Sequence, residues 1–299
     1  LRTASDAAHV SPMAAPTATI AERARYHDHI VDELIAERAP KLVGSPAWPL
    51  LRPALYALLD YGKARAMADA IYPMSGKAAL DYVSDLLALK VVTSGLERIP
   101  RAGAIVTVSN HPTGIADGVA VYDALKTVRP DLVFYANADA HRVVPGFADM
   151  LIPVELNAAK RSREATRLTL QMTHAAMQGG KALVTFPSGR LARRRGGVLT
   201  DDPWAPTPIS LARKFGAPIV PIHVVGPWST LFHLFDRFSG ELRDITLFHE
   251  LLNKRGQAFR LIVGEPIDAE SILGDPPEAV RRLKDYVEFD LPKGRLRLG

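Results

Sequence analysis

A chain of 299 residues with 47% hydrophobic and 23% charged content has the composition of a folded protein with ample core, which excludes the disordered and transmembrane classes. It contains no cysteine, which excludes disulfides, thiolate metal sites and cysteine nucleophiles, and leans towards a reducing cytosol. A net charge of +5 asks for an anionic partner, and because the basic residues are scattered apart from Arg193-Arg194-Arg195 and form no groove interleaved with aromatics, no nucleic-acid partner is expected.

Residues 1–19 are rich in Ala, Ser, Thr and Pro without periodicity and are expected to form a poorly ordered leader. No charged n-region followed by an apolar core opens the sequence, so no secretory signal is expected, and no uncharged apolar run is long enough to span a bilayer. Residues 20–38 read as a charged amphipathic helix with Ile30, Leu34 and Ile35 on one side. Residues 48–59, W-P-L-L-R-P-A-L-Y-A-L-L, are apolar nearly all round. That pattern predicts a helix buried against the domain; the sharper alternative is an interfacial helix dipping into lipid, with Trp48 and Tyr56 at headgroup level. Helical spacing continues over 63–70 and 78–90, so that 20–90 forms an N-terminal helical cap.

From Val91 the period changes. Short apolar strands are predicted at 91–93, 104–108, 132–135, 183–186, 219–224 and 259–263, with helices at 118–126, 163–178 and 209–215. This alternation predicts an α/β fold, a mixed, largely parallel sheet covered by helices, over residues 91–275. A charged terminal helix and basic tail follow over 276–299.

Two predicted strands end in turns that carry chemistry. After the run over 104–108 comes Ser109-Asn110-His111-Pro112-Thr113-Gly114, with Asp117 three residues further on. The carboxyl ends of strands in open α/β sheets are where ligands sit. An imidazole there, with its tautomer fixed by a carboxylate, is suited to taking a proton from an alcohol or amine. After the run over 183–186 comes Phe186-Pro187-Ser188-Gly189-Arg190, trailed by Arg193, a turn whose main-chain N–H groups and guanidiniums suit an anion. A third block, Ala217-Pro218-Ile219-Val220-Pro221-Ile222-His223, reads as a core strand. Asp139 and His141 follow another predicted strand; with His111 and Asp117 they leave a metal-assisted hydrolase as an alternative, although their spacing matches no known ligand set.

Taken in this order, the three blocks resemble those of the glycerolipid and lysophospholipid acyltransferase family. The Asn-His-Pro-x-Gly-x-x-Asp-Gly pattern over 110–118 is similar to a bacterial branch of it, and the resemblance covers residues 96–265. It implies that His111 is the general base for an acceptor hydroxyl and that Asp117 orients it. Substrate contacts are implied at Asn110, Thr113, Gly114, Phe186, Pro187, Ser188, Gly189, Arg190 and Arg193, and at Lys160 and Arg161 for the family's middle basic position. The implied partners are an acyl-CoA or acyl-carrier-protein thioester, used as co-substrate with no cofactor or metal, and a lysophospholipid or related lipid. The implied location is cytoplasmic, peripheral on the inner face of the cell membrane. Two departures stand out. Five residues separate His111 from Asp117 where the family usually has four, and Ser188 replaces the usual glutamate. These motivate a further alternative, a non-catalytic protein that binds lipid or acyl chains.

Overall fold

The computed structural model describes residues 29–155 and 162–298. The expected leader, the first part of the helix over 20–38, and Lys160 and Arg161 lie outside the described residues. The cap contains α1 (Ile30–Arg38), α2 (Pro40–Val43), α3 (Trp48–Leu58), α4 (Tyr61–Ile71) and α5 (Gly76–Leu87). Helix α1 buries Ile30, Val31, Leu34 and Ile35, one stripe at helical spacing, and the His29 ring caps it by accepting the Val31 N–H at 3.1 Å.

Helix α3 corrects the expectation of a buried helix. None of its residues is buried, and Leu50 is 82% exposed. Its inner contacts are aromatic and polar: the Tyr56 ring stacks on Tyr61 at 4.0 Å, and their hydroxyls donate to the two oxygens of Asp32 at 2.6 and 2.5 Å. Rings and phenols thus hold the helix, which leaves Leu50, Leu51 and Leu58 facing outward.

The strands are β1 (Lys90–Ser94), β2 (Ile105–Ser109), β3 (Leu132–Asn137), β4 (Leu151–Val154), β5 (Ala182–Thr185), β6 (Arg193–Arg195), β7 (Val198–Thr200), β8 (Ile219–Val225) and β9 (Ala258–Val263). The helices among and after them are α6 (Ile115–Leu125), α7 (Asp139–Val143), α8 (Arg163–Gln178), α9 (Thr207–Phe215), α10 (Thr230–Asp236), α11 (Gly240–Asp244), α12 (Leu247–Leu252) and α13 (Pro276–Asp285). Seven strands form one sheet in the order β1-β9-β8-β2-β5-β3-β4. Neighbours run parallel except β8 and β9, so the sheet is mixed and largely parallel. β6 and β7 form a separate hairpin.

Strand β2 lies between β8 and β5 with all of its residues buried. Val106 and Val108 pack with Leu183 and Ile219 in a core that also receives Ile209 of α9 and Leu283 of α13. Ile105, Val184 and Ile222 belong to the opposite core, shared with Leu34 of α1, Ile71 of α4 and Val121 of α6. Burial on both faces is why these strands read as unbroken apolar runs instead of alternating ones. The C-terminal segment is built into the core of Val106 and Val108: Val280, Tyr286, Val287 and Leu291 are buried there.

Candidate active site

Because β2, β5 and β8 are parallel, their carboxyl ends reach the same edge of the sheet, with Val108 beside Thr185 and Ser109 beside Ile222. The Asn110–Pro112 turn leaves β2 there, and Phe186-Pro187 leaves β5. His111 Nδ1 lies 2.9 Å from Asp117 Oδ2, and the Asp117 side chain is fully buried. Asp117 also accepts the main-chain N–H groups of Thr113 at 2.8 Å and Gly114 at 2.9 Å, and the Thr113 hydroxyl at 2.5 Å. Helix α6 begins at Ile115, three residues before the expected start, so Asp117 sits in its first turn. A carboxylate there meets N–H groups that have no partner within the helix and the positive end of the helix dipole.

The turn between His111 and Asp117 reverses at Gly114, whose φ of +86° lies in the left-handed region that favours glycine. A Cβ at that position would come within 2.8 Å of the Leu191 side chain. The loop therefore folds back on the carboxylate without displacing it. A carboxylate only accepts, so Nδ1 carries the hydrogen of the neutral ring and Nε2 keeps its lone pair. Nε2 has no hydrogen-bond partner among the described residues, and the side chain retains 16% exposure. The Phe186 ring stacks on the imidazole at 4.4 Å and 28°. The arrangement can hold an imidazole in one tautomer with its basic nitrogen unengaged.

Three implied substrate contacts are taken up internally. Asn110 is 7% exposed; its Nδ2 donates to the Val224 carbonyl at 2.9 Å and its Oδ1 accepts the Val224 N–H at 2.7 Å. It braces β2 to β8 at the point where their ladder ends. Thr113 is buried with its hydroxyl on Asp117, and Gly114 is buried beside it, so both build the carboxylate's cradle. Sequence reasoning could not separate these roles, because a polar group near a histidine reads alike whether its partner is main chain or ligand.

A model of the acyltransferase family matches residues 81–294, a span that contains the whole sheet edge just described. The chain belongs to the acyltransferase family. Over 222 residues it is 29% identical to a lyso-glycine lipid O-acyltransferase of Phocaeicola vulgatus, covering 71% of this chain and 78% of that protein. A protein of the same description from Bacteroides thetaiotaomicron is 28% identical, covering 70% and 76%. The 1-acyl-sn-glycerophosphate acyltransferase structure of Thermotoga maritima aligns with a TM-score of 0.47 and 15% identity, over 89% of this chain and 97% of that one.

In this acyltransferase the Phe186–Arg190 turn is closed by its own bonds. Gly189 donates its N–H to the Phe186 carbonyl at 2.9 Å, and Ser188 Oγ donates to the Arg190 carbonyl at 2.9 Å. The Pro187 carbonyl accepts the Ala205 N–H at 3.0 Å. Ser188 thus stabilises the turn with the hydroxyl that stands where a carboxylate was implied. Arg190 is exposed, Arg193 lies 3.9 Å from Asp236, and Arg194 sits 5.6 Å above the Trp228 ring. A cleft of about 430 Å³ opens past the end of β8, lined in part by Leu58, Trp228, Leu231 and Lys254. Asp139 pairs with Arg38 at 2.7 Å and Arg142 at 3.3 Å. Among the described residues no group of three or more His, Asp or Glu side chains is placed to hold a metal ion.

One residue of the acyltransferase site carried no signal in the sequence. Asp201, ninety positions from His111, is 3% exposed; its Oδ1 accepts the His111 main-chain N–H at 3.1 Å and its Oδ2 accepts the Trp204 indole N–H at 2.8 Å. Burial, reinforced by the neighbouring Glu288, pushes its carboxyl up to about 7 against the opposing pull of these donors.

Proposed function

We propose that this acyltransferase moves a fatty acyl group from an acyl-CoA or acyl-carrier-protein thioester to a hydroxyl of a lysolipid, with His111 as the general base. The observation that carries the reading is the His111 Nδ1–Asp117 Oδ2 contact of 2.9 Å, made to a fully buried carboxylate while Nε2 stays unengaged. Nε2 takes the hydroxyl proton as the oxygen attacks the thioester carbonyl. The C–O bond forms, the C–S bond breaks, and the proton passes from the imidazolium to the departing thiolate. Asp117 fixes the tautomer and stabilises the imidazolium.

The lysolipid acceptor is supported by the two relatives described as lyso-glycine lipid O-acyltransferases. Ser188 in place of glutamate favours an acceptor other than a glycerol phosphate, so an amino-acid lysolipid is the leading class. Exposed Arg190 and the partly exposed Arg193 serve the anionic parts of the substrates. The enzyme meets lipid at a membrane surface through the outward leucines of α3; among the described residues no helix is long and apolar enough to cross a membrane.

Mass-spectrometric detection of products from a panel of lysophospholipids and amino-acid lysolipids, each offered with acyl-CoA and with acyl-carrier protein, tests the reading. An acylated amino-acid lipid is the expected product. Thioester hydrolysis with no acylated lipid from any acceptor would overturn it.

A further inference from the structure

The main-chain N–H of His111 emerges where the sheet has run out. The registers of β2 end at Val108 against Thr185 and at Ser109 against Ile222, so neither neighbouring strand supplies an acceptor for it. A buried N–H without a partner is costly, and a carbonyl or water is the usual answer. Here the acceptor is a carboxylate with 3% exposure, an expensive group to bury. Asp201 is in turn fixed from behind: its own N–H donates to Glu288 Oε1 at 2.7 Å, and Thr200 Oγ1 and Lys284 Nζ each donate to Glu288 Oε2 at 2.6 Å. The carbonyl side of His111 is held separately, accepting the Ala192 N–H at 2.8 Å.

We propose that Asp201 is a positioning residue for His111. It fixes the main chain of the histidine, whereas Asp117 fixes the ring, and the two anchors together set where Nε2 points. The Trp204 indole N–H on Oδ2 leaves Oδ1 directed at His111, so the carboxylate serves two donors at once. Lys284 and Glu288 extend this support to the C-terminal segment, which makes that segment part of the active-site scaffold. The inference rests on His111 being the base. It adds that an acceptor atom at position 201, with its geometry, is required for turnover. A displacement of about 1 Å at a reacting group can lower a rate about a hundredfold, so loss of this anchor lowers kcat and leaves KM nearly unchanged.

The test compares two neutral, near-isosteric side chains in a background where the indole donor is absent. D201N/W204F keeps one acceptor oxygen for the His111 N–H, and D201L/W204F keeps none. Acyl transfer is measured with a palmitoyl thioester and a lysolipid accepted by the wild type, beside H111A and W204F, with thermal unfolding of each. The expected result is kcat for D201N/W204F within about threefold of W204F, and a loss of about tenfold or more for D201L/W204F with KM unchanged. Equal kcat in the two double variants overturns the proposal. Should the leucine variant fail to fold, D201N with Trp204 in place replaces it. Its single acceptor oxygen then faces two N–H donors, and kcat is expected to fall below that of D201N/W204F; equality again overturns the proposal. Full turnover by H111A would instead remove the general-base reading, a separate outcome from either of these.

Discussion

Phe186 lies flat against His111, ring centroids 4.4 Å apart, although the two residues belong to blocks on different strands. The contact exists because β2 and β5 are parallel neighbours that end at one level, Val108 beside Thr185. It covers one face of the imidazole while Asp117 holds the Nδ1 edge. F186A is expected to lower kcat about tenfold by letting the ring turn, and F186Y to retain most of it. Steady-state kinetics check this, and an F186A enzyme with unchanged kcat would show the stack to be incidental.

Asp117 gathers four donors on two oxygens in a fully buried position. An asparagine there offers one acceptor oxygen and turns an N–H₂ group towards donors. D117N is expected to lose turnover by about a thousandfold or more and stability by about 1–3 kcal/mol. Turnover assays with urea unfolding check both, and normal turnover would separate Asp117 from the chemistry.

Asn110 behaves as a structural brace. N110L leaves the Val224 N–H and carbonyl without partners in a buried place and is expected to cost about 2–4 kcal/mol in stability, with KM for the lipid acceptor unchanged in the folded enzyme. A raised KM with unchanged stability would return Asn110 to the substrate.

The Asp201 carboxyl is raised by burial from 3.8 to about 7. A raised carboxyl means that the folded state holds a proton that the unfolded chain releases. Its contribution to stability is complete below the unfolded value and is lost as pH rises through about 7. D201N removes that loss, so the stability of the wild type relative to the variant falls as pH rises from about 4 to 7. Parallel profiles for the two proteins would contradict the assignment.

The exposed side of α3 gives a prediction outside the catalytic centre. L50D/L51D is expected to reduce sedimentation with phosphatidylglycerol vesicles at least tenfold while sparing the fold, since it places two charges on leucines that are 82% and 42% exposed. Equal sedimentation would move membrane contact to another surface.

Much of this architecture was legible in the sequence because its central strands are covered on both sides and end in Pro- and Gly-bearing turns. β2 reads as a β-branched run and β5 as a short apolar one, and the polar residues placed after them lie at one sheet edge. The sixteen residues of helix α8 carry several turns of amphipathic pattern, so its bounds are readable in the sequence. Helices α10, α11 and α12 run seven, five and six residues, too short for a period to emerge. The outward face of α3 was obscured because an apolar run does not say whether protein, water or lipid lies beyond it. Asp201 was invisible for a different reason: its partner is a main-chain N–H ninety residues away, a contact that no local pattern encodes.

The general-base assignment is tested most directly by single-turnover acyl transfer with H111A, using an acyl thioester and the preferred lysolipid, on protein shown by thermal unfolding to be folded. The expected result is a loss of about a thousandfold or more in the chemical step with substrate binding retained. Transfer at the wild-type rate by folded H111A would contradict it.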